Sequence, residues 1–200
     1  IVRRIGPSLG LRVTIEPEWG FVGQITTGDG RHSYFRNTSF DLNGHGAAET
    51  SKDKSYAAFF MRGLGYPVPV GRTFYSKDWC ERIGSDHDIQ AGYQYARELG
   101  FPVIVKPNSK SQGAGVAKVY NKREFFIAMR AVFNKAQDRV ALVQRYCEGD
   151  DYRIVVLDDE IISAYRRLPL AVVGDGNATI SELLAMKQQQ FVDEGRDTVL

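Results

Sequence analysis

The stretch FPVIVKPNSKSQGAGVAKVYN, residues 101–121, joins two apolar runs through a lysine and a glycine-bearing loop. PVIV predicts a β-strand, and GVAKVY predicts its partner. Because side chains alternate between the two faces of a strand, Ile104 and Lys106 should share one face, and Val103 and Val105 the other. A buried ammonium without a partner is unfavourable, so Lys106 requires either an anion or a route to water.

The loop NSKSQGAG, which follows Lys106, offers an anion a place to bind. Gly113 and Gly115 allow the backbone to approach a ligand closely, and free N–H groups can point at phosphate oxygens. Neither G-x-x-x-x-G-K-[ST] nor G-x-G-x-x-G occurs. The residues alone therefore leave two interpretations open: a phosphate grip beneath a flexible lid, or a lysine that extends to water beside an ordinary hairpin loop.

The stretch ALVQRYCEGDDYR, residues 141–153, runs from an apolar strand into polar residues. Backbone groups exposed where a strand leaves its sheet can match the edge of adenine. Gln144 could bond the exocyclic amine of the base, and Asp151 could accept from ribose hydroxyls. The alternative is a turn between two lobes with solvated acids.

Further cationic side chains extend this pattern. SKDKSYAAFFMRGLG, residues 51–65, predicts a helix with Ser51 as its cap, and Lys54 near its start opposes the helix dipole. Lys54 could therefore reach a phosphate or remain solvated. Arg166 and Arg167 should point to opposite faces of their strand, so at most one shares a face with Arg153. Such an arginine could hold a phosphate or carboxylate through two hydrogen bonds, whereas we expect Arg167 to lie on the surface.

The remaining segments predict a mixture of helices and antiparallel strands, which favours an α+β domain of two lobes. Hairpins are predicted at 21–36 and 152–168, and helices at 86–100, after Asn121, and after a Thr179–Glu182 capping box.

Composition sets broad limits on function. Of 200 residues, 43% are apolar and 25% charged, as in ordinary soluble globular proteins. The 26 basic and 24 acidic residues give no indication of a nucleic-acid partner, and no apolar stretch approaches the ~20 residues of a membrane span. Cys80 and Cys147 lack metal or redox spacing, which favours a cytoplasmic setting. The chain does not begin with Met and stops in RDTVL, so we expect a piece of a longer polypeptide.

Taken in order, DKSYAAFFMRGLGYPVP, FPVIVKPNSKSQGAGV and LVQRYCEGDDYRIVVLDDEIISAYRR resemble the ATP-grasp superfamily of carboxylate–amine ligases. VVGDGNATISELL is similar to the signature of cyanophycin-synthetase-like ligases, and bifunctional bacterial glutathione synthetases carry similar stretches. The resemblance implies an ATP-grasp fold of two α+β lobes with the nucleotide cleft between them. It implies an N-terminal segment with a β-hairpin at 1–50, a central lobe at 51–143, and a hinge with an incomplete C-terminal lobe at 144–200.

The same resemblance implies roles for individual residues. Lys54 and Lys106 would hold ATP phosphates, and Asp151 would bind the ribose. Arg153 and Arg166 would face the transferred phosphate or the acyl phosphate. The loop 109–115 would close over the β- and γ-phosphates through Ser111, Gln112, Gly113, Ala114 and Gly115. The adenine hinge would comprise Gln144, where many relatives have Glu, with Arg145, Tyr146 and Cys147.

The implied reaction is ATP-dependent formation of a C–N bond through an acyl phosphate, with an amino acid or a peptide as substrate. Mg²⁺ is implied too, but the expected acidic pattern does not follow Arg167. We therefore assign no metal ligand, expect the magnesium ligands beyond residue 200, and expect this fragment alone to be inactive. A nucleotide-binding module without turnover is the alternative, a nucleic-acid binder is disfavoured, and a homo-oligomer stays open.

Overall fold

The computed structural model describes residues 1–111 and 113–195. The chain forms two compact units, Ile1–Cys147 and Glu148–Leu200. Both units combine helices with antiparallel strands, which confirms the α+β class. The finer boundaries expected at residues 50 and 143 stay predictions. Among the described residues, no helix combines the length and the apolar character needed to cross a membrane.

The first unit begins with a small antiparallel sheet in the strand order β1-β2-β3-β4. Its elements are α1 (Val2–Ile5), a 3-10 turn (Gly6–Leu9), β1 (Arg12–Ile15), β2 (Val22–Thr26), β3 (His32–Arg36) and β4 (Ser39–Phe40). β2 and β3 pair in register around a turn in which Gly30 has a φ of +84°, which confirms the hairpin predicted at 21–36.

A second antiparallel sheet of the first unit has the strand order β5-β8-β6-β7. Its strands are β5 (Gly71–Tyr75), β6 (Val103–Pro107), β7 (Ala117–Val119) and β8 (Val140–Arg145). The helices of this part are α2 (His45–Lys52), α3 (Lys54–Gly63), α4 (Lys77–Ile83), α5 (Ile89–Leu99) and α6 (Lys122–Arg130), the last followed by a π-helical turn (Ala131–Lys135).

α5 and α6 cover one face of the second sheet and form the core with it. The buried side chains are Phe74, Ala96, Val103, Val105, Val119, Phe125, Ala128, Met129, Val132, Ala141 and Val143. Val103 and Val105 are 0% exposed, whereas Ile104 and Lys106 are half-buried, so the predicted alternation along β6 is confirmed. Each buried valine stabilises the fold by about 1.5 kcal/mol or more. The core thus fixes which way Lys106 points.

The helix caps show where local sequence decides the structure. Asn121 caps α6 as predicted, since its side chain accepts from the N–H of Glu124. The predicted cap of the helix after residue 51 is wrong. Ser51 lies inside α2 and donates to the carbonyl of Ala48, while Asp53 caps α3 by accepting from Ser55 and Tyr56 N–H. Asp53 breaks the predicted single helix in two.

The second unit contains β9 (Asp151–Leu157), β10 (Glu160–Arg167) and α7 (Ile180–Asp193). β9 and β10 form the predicted hairpin, with Asp158 at a φ of +52° in its turn. Thr179 and Glu182 make both hydrogen bonds of a capping box at the start of α7, which confirms that prediction.

Candidate functional site

Lys106 lies on the sheet face opposite α5 and α6, which we call the lysine face. Ile104 pairs with Gln144 across β6 and β8, so their side chains project from the same side of the sheet. Lys106 lies two residues after Ile104 on β6 and therefore also projects from that side. Nζ of Lys106 donates to Oε1 of Gln144 at 2.8 Å. Burial lowers the pKa of Lys106, and the nearby ammonium of Lys54 lowers it further. Within the described part of the chain, Lys106 has no carboxylate oxygen within 4.0 Å.

Lys54 reaches the same region from the first turn of α3. Its Nζ donates to the backbone oxygen of Asn108 at 2.8 Å and also to the carbonyl of Lys110. Burial lowers the pKa of Lys54, and the charges of Asp138 and Asp53 partly oppose that effect. The structure therefore brings together the two ammonium groups that were expected to converge, although they come from separate elements.

Asn108, which directly follows β6, is hydrogen-bonded to the start of α3, and sequence reasoning missed it. This residue is 4% exposed. Its Oδ1 accepts from the N–H of Ser55 at 3.2 Å, and its Nδ2 donates to Oδ2 of Asp53 at 2.6 Å. Lys54 stands between these two partners in the chain, so Asn108 fixes its backbone relative to the sheet. An asparagine directly after an apolar strand was the only local signal.

Asp138, two residues before β8, anchors the same junction, and it too was missed. Its Oδ2 accepts from the N–H of Ser109 at 2.9 Å and from Oγ of Ser109 at 2.7 Å. Its Oδ1 accepts from the N–H of Val140 at 3.1 Å. A carboxylate that is 8% exposed therefore ties the beginning of the predicted phosphate loop to the sheet and attracts Lys54.

The loop 109–115 turns at two glycines with positive φ, +79° at Gly113 and +70° at Gly115. A Cβ on Gly115 would lie 2.8 Å from Cγ of Pro107, whereas a Cβ on Gly113 would meet no atom within 4 Å. The N–H of Ala114 donates to the carbonyl of Ser111 at 3.1 Å. Gln112 lies outside the described residues. The predicted closure of this loop over phosphates stays a prediction.

The predicted hinge leaves the sheet at the end of β8. The N–H of Arg145 donates to the carbonyl of Val70 at 2.8 Å, and the thiol of Cys147 is exposed. Nζ of Lys118, on β7, lies 3.5 Å from the ring centroid of Tyr146. Lys118 pairs with Ile104 and therefore also lies on the lysine face. Sequence reasoning did not select Lys118, because its place depends on the register between β6 and β7.

In the second unit, a β-bulge decides which arginines share a face. Near the turn Ile161 pairs with Val156, but after the bulge Ser163 pairs with Val155. Arg153 consequently pairs with Tyr165, which puts Arg153 and Arg167 on one face and Arg166 on the other. A hairpin without the bulge would have paired Arg153 with Ala164 and so placed Arg166 on the face of Arg153.

Two predicted residues of this hairpin take part in ion pairs. Nη2 of Arg166 lies 2.8 Å from Oδ1 of Asp150, and Arg167 pairs with Asp151. All four side chains are about half exposed. The expected roles of Asp151, Arg153 and Arg166 stay predictions, and the register adds Arg167 as a second arginine on the face of Arg153.

A metal site does not fit the described residues. Across 1–111 and 113–195, no three side chains of His, Cys, Asp or Glu cluster in a way that could hold a metal ion. We therefore place no step of the chemistry on a metal, and the expected ligands beyond residue 200 stay an expectation.

Comparison with known proteins finds relatives of similar sequence. Cyanophycin synthetase from Synechocystis sp. (strain ATCC 27184 / PCC 6803 / Kazusa) is 30% identical over 142 residues, 70% of this chain and 15% of that protein. The glutathione biosynthesis bifunctional protein GshAB of Pasteurella multocida (strain Pm70) is 36% identical over 131 residues, 64% of this chain and 16% of that protein. The chain thus spans less than a fifth of the length of these relatives.

A solved structure shows the same fold. The D-alanyl-alanine synthetase A from Vibrio cholerae O1 biovar eltor str. N16961 matches with a TM-score of 0.50 at 11% identity, over 92% of this chain and 70% of that one. The family described as D-ala D-ala ligase C-terminus matches residues 60–190, which include β6, the loop 109–115, β8 and the arginine hairpin. The chain therefore belongs to the D-ala D-ala ligase C-terminus family and has the ATP-grasp fold.

Proposed function

We propose that this chain supplies nucleotide-binding elements of an ATP-dependent carboxylate–amine ligase of the cyanophycin-synthetase-like type, which works through an acyl phosphate. The observation that carries the proposal is the pair of lysines. Lys54 and Lys106 are partly buried, their charges repel each other, and the carboxylates nearest to Lys54 also serve as a helix cap and a loop anchor. An anion with several negative charges would relieve that repulsion.

The charge of the lysine face and the glycines of the neighbouring loop support a triphosphate as the ligand. Two ammonium groups offer point charges for phosphate oxygens, and the glycines of the loop 109–115 allow backbone N–H groups to approach them. Gln144 and Arg145 at the end of β8, with Tyr146 and Cys147 directly after it, would hold the base, and Asp151 would hold the ribose. Asp151 would have to exchange its contact with Arg167 for the sugar.

In the proposed reaction, ATP phosphorylates a carboxylate, and an amine then attacks the acyl phosphate with release of phosphate. Within this chain, Lys54 and Lys106 would offset the charge of the phosphates, and Arg153 with Arg166 or Arg167 would stabilise the charge that moves during transfer. The closed loop would exclude water from the acyl phosphate. Cyanophycin synthetase and GshAB suggest an amino acid or a peptide as the substrate.

The test is the substitution Lys106→Met, with ATP affinity measured by calorimetry or by displacement of a fluorescent ATP analogue. A charge-assisted hydrogen bond contributes about 1.5–3 kcal/mol, so we expect affinity to fall by about tenfold to more than a hundredfold. Lys77→Met is the matched control, because the Lys77 side chain is 92% exposed on α4.

Stability separates a binding role of Lys106 from a structural one. The ammonium of Lys106 is desolvated and repelled in the fold, so Lys106→Met should leave thermal stability unchanged or raise it. Unchanged ATP affinity in this variant would overturn the proposal. ATP-dependent phosphate release by the polypeptide that contains this chain, in the presence of amino acids, separates a ligase from a nucleotide-binding module without turnover.

A further inference from the structure

The amide of Gln144 is held in one orientation by Lys106. An ammonium has three donors and no acceptor, so the amide atom 2.8 Å from Nζ has to be the oxygen. The NH₂ group of Gln144 consequently occupies the other branch of the amide, away from Lys106. Its two N–H donors are thereby fixed in direction.

The position beside Gln144 on the neighbouring strand carries no side chain. Gly71 of β5 pairs with Gln144, and a Cβ on Gly71 would lie 3.2 Å from both Cβ and Cγ of Gln144. A side chain at residue 71 would therefore crowd Gln144, whereas glycine leaves the glutamine space on that side.

A second donor-only group lies at the same end of the lysine face. Lys118 belongs to the same cross-strand row as Ile104 and Gln144. Its Nζ lies 3.5 Å from the ring centroid of Tyr146 and 5.3 Å from that of Tyr120. Within the described residues, neither Lys106 nor Lys118 has a carboxylate oxygen within 4.0 Å. Lys106 and Lys118, the two lysines near Gln144 on this face, therefore offer protons rather than acceptors.

These donors bear on which purine the site accepts. A 6-aminopurine presents an amine donor at position 6, and a 6-oxopurine presents a carbonyl acceptor there. A glutamate could only accept, and would therefore reject the carbonyl. The amide of Gln144 can do both, since its NH₂ can donate and Oε1 has a second lone pair that can accept.

Resting on the nucleotide site proposed above, we propose that Gln144 is a specificity residue that admits both classes of purine, so that GTP binds within about tenfold of ATP. Lys106 positions the amide, and Gly71 leaves it room.

The experiment measures Kd for ATP, GTP and ITP on the 200-residue chain, by displacement of a fluorescent ATP analogue. In Gln144→Glu, the ratio of the Kd for GTP to the Kd for ATP should rise by about tenfold or more, because the carbonyl of guanine would face a carboxylate. ITP has the carbonyl but not the 2-amino group of guanine, so its Kd should follow that of GTP in both the unaltered chain and Gln144→Glu. Gln94→Glu is the matched control, since Gln94 is exposed on α5, which covers the opposite face of the sheet.

The outcomes distinguish failure of the specificity proposal from failure of the nucleotide-site proposal. ATP binding with GTP more than a hundredfold weaker in the unaltered chain would overturn the specificity proposal and leave the nucleotide site standing. An equal loss of ATP and GTP in Gln144→Glu, with an unchanged melting temperature, would overturn it as well. Failure of the unaltered chain to bind any of the three nucleotides would overturn both proposals.

Discussion

Replacing Asp138 with alanine should be among the most destabilising single changes near the lysine face. The side chain is 8% exposed, and its two oxygens accept from the N–H and Oγ of Ser109 and from the N–H of Val140. Alanine would leave three donors without their acceptor and would remove a negative charge that attracts Lys54.

The size of the effect follows from these contacts. A hydrogen bond to a charged acceptor contributes about 1.5–3 kcal/mol, but three bonds to one carboxylate are not independent, and removal of the charge also relieves its desolvation. We therefore expect the free energy of unfolding to fall by about 3–5 kcal/mol, a large part of the roughly 5–15 kcal/mol of a typical domain.

Urea denaturation followed by tryptophan fluorescence measures this loss. With a slope of about 2 kcal/mol per molar urea, the midpoint should fall by about 1.5–2.5 M. Asp138→Asn keeps one acceptor oxygen, so its urea midpoint should lie between those of the unaltered chain and Asp138→Ala. This variant also preserves the test if the alanine variant does not fold. Asp86→Ala is the control, because the Asp86 side chain is 99% exposed. If Asp138→Ala shifts the midpoint no more than Asp86→Ala, the anchoring role is refuted.

Three further outcomes are expected. Burial and the charge of Lys54 hold the pKa of Lys106 below its ordinary 10.5. A rise in pH through that lowered pKa should therefore weaken triphosphate affinity and remove an unfavourable charge from the folded state. Affinity that stays constant up to pH 10.5 would contradict this prediction. Phe125→Ala should lower the free energy of unfolding by about 3–5 kcal/mol in thermal or urea unfolding, because Phe125 is 0% exposed; a loss below about 1 kcal/mol would contradict the core assignment. Thr179→Ala should destabilise α7 by about 1 kcal/mol, seen as faster amide hydrogen exchange in its first turn, while Thr179→Ser should leave exchange nearly unchanged.

Features decided by neighbours in the chain could be predicted from the sequence. The alternation along β6 follows from its own residues, and the caps at Asn121 and Thr179 act within three residues. The charges of Lys54 and Lys106 in unusual positions mark both residues in the sequence, and the structure brings them close together.

Features that depend on distant partners could not be predicted. Ser51 and Asp53 are both good helix caps by chemistry, and the contact of Asp53 with Asn108, 55 residues away, is a tertiary interaction that no local pattern shows. Asp138 acts on Ser109, 29 residues away, so nothing near either residue marks the bond. The bulge between Ile161 and Ser163 likewise inverts the pairing of the arginines although their spacing is unchanged.

The two-sided character of β6 makes this strand unusually intolerant of length changes. Deleting or inserting one residue before Lys106 would turn its ammonium toward α5 and α6 and would carry Val105 to the opposite side. A single-codon indel would therefore remove hydrophobic packing and the proposed phosphate contact of Lys106 at once. By contrast, a two-residue change would restore the facing pattern and shift only the position along the strand. Natural length variation among homologues should accordingly be rare within this strand and concentrate in the loops that flank it.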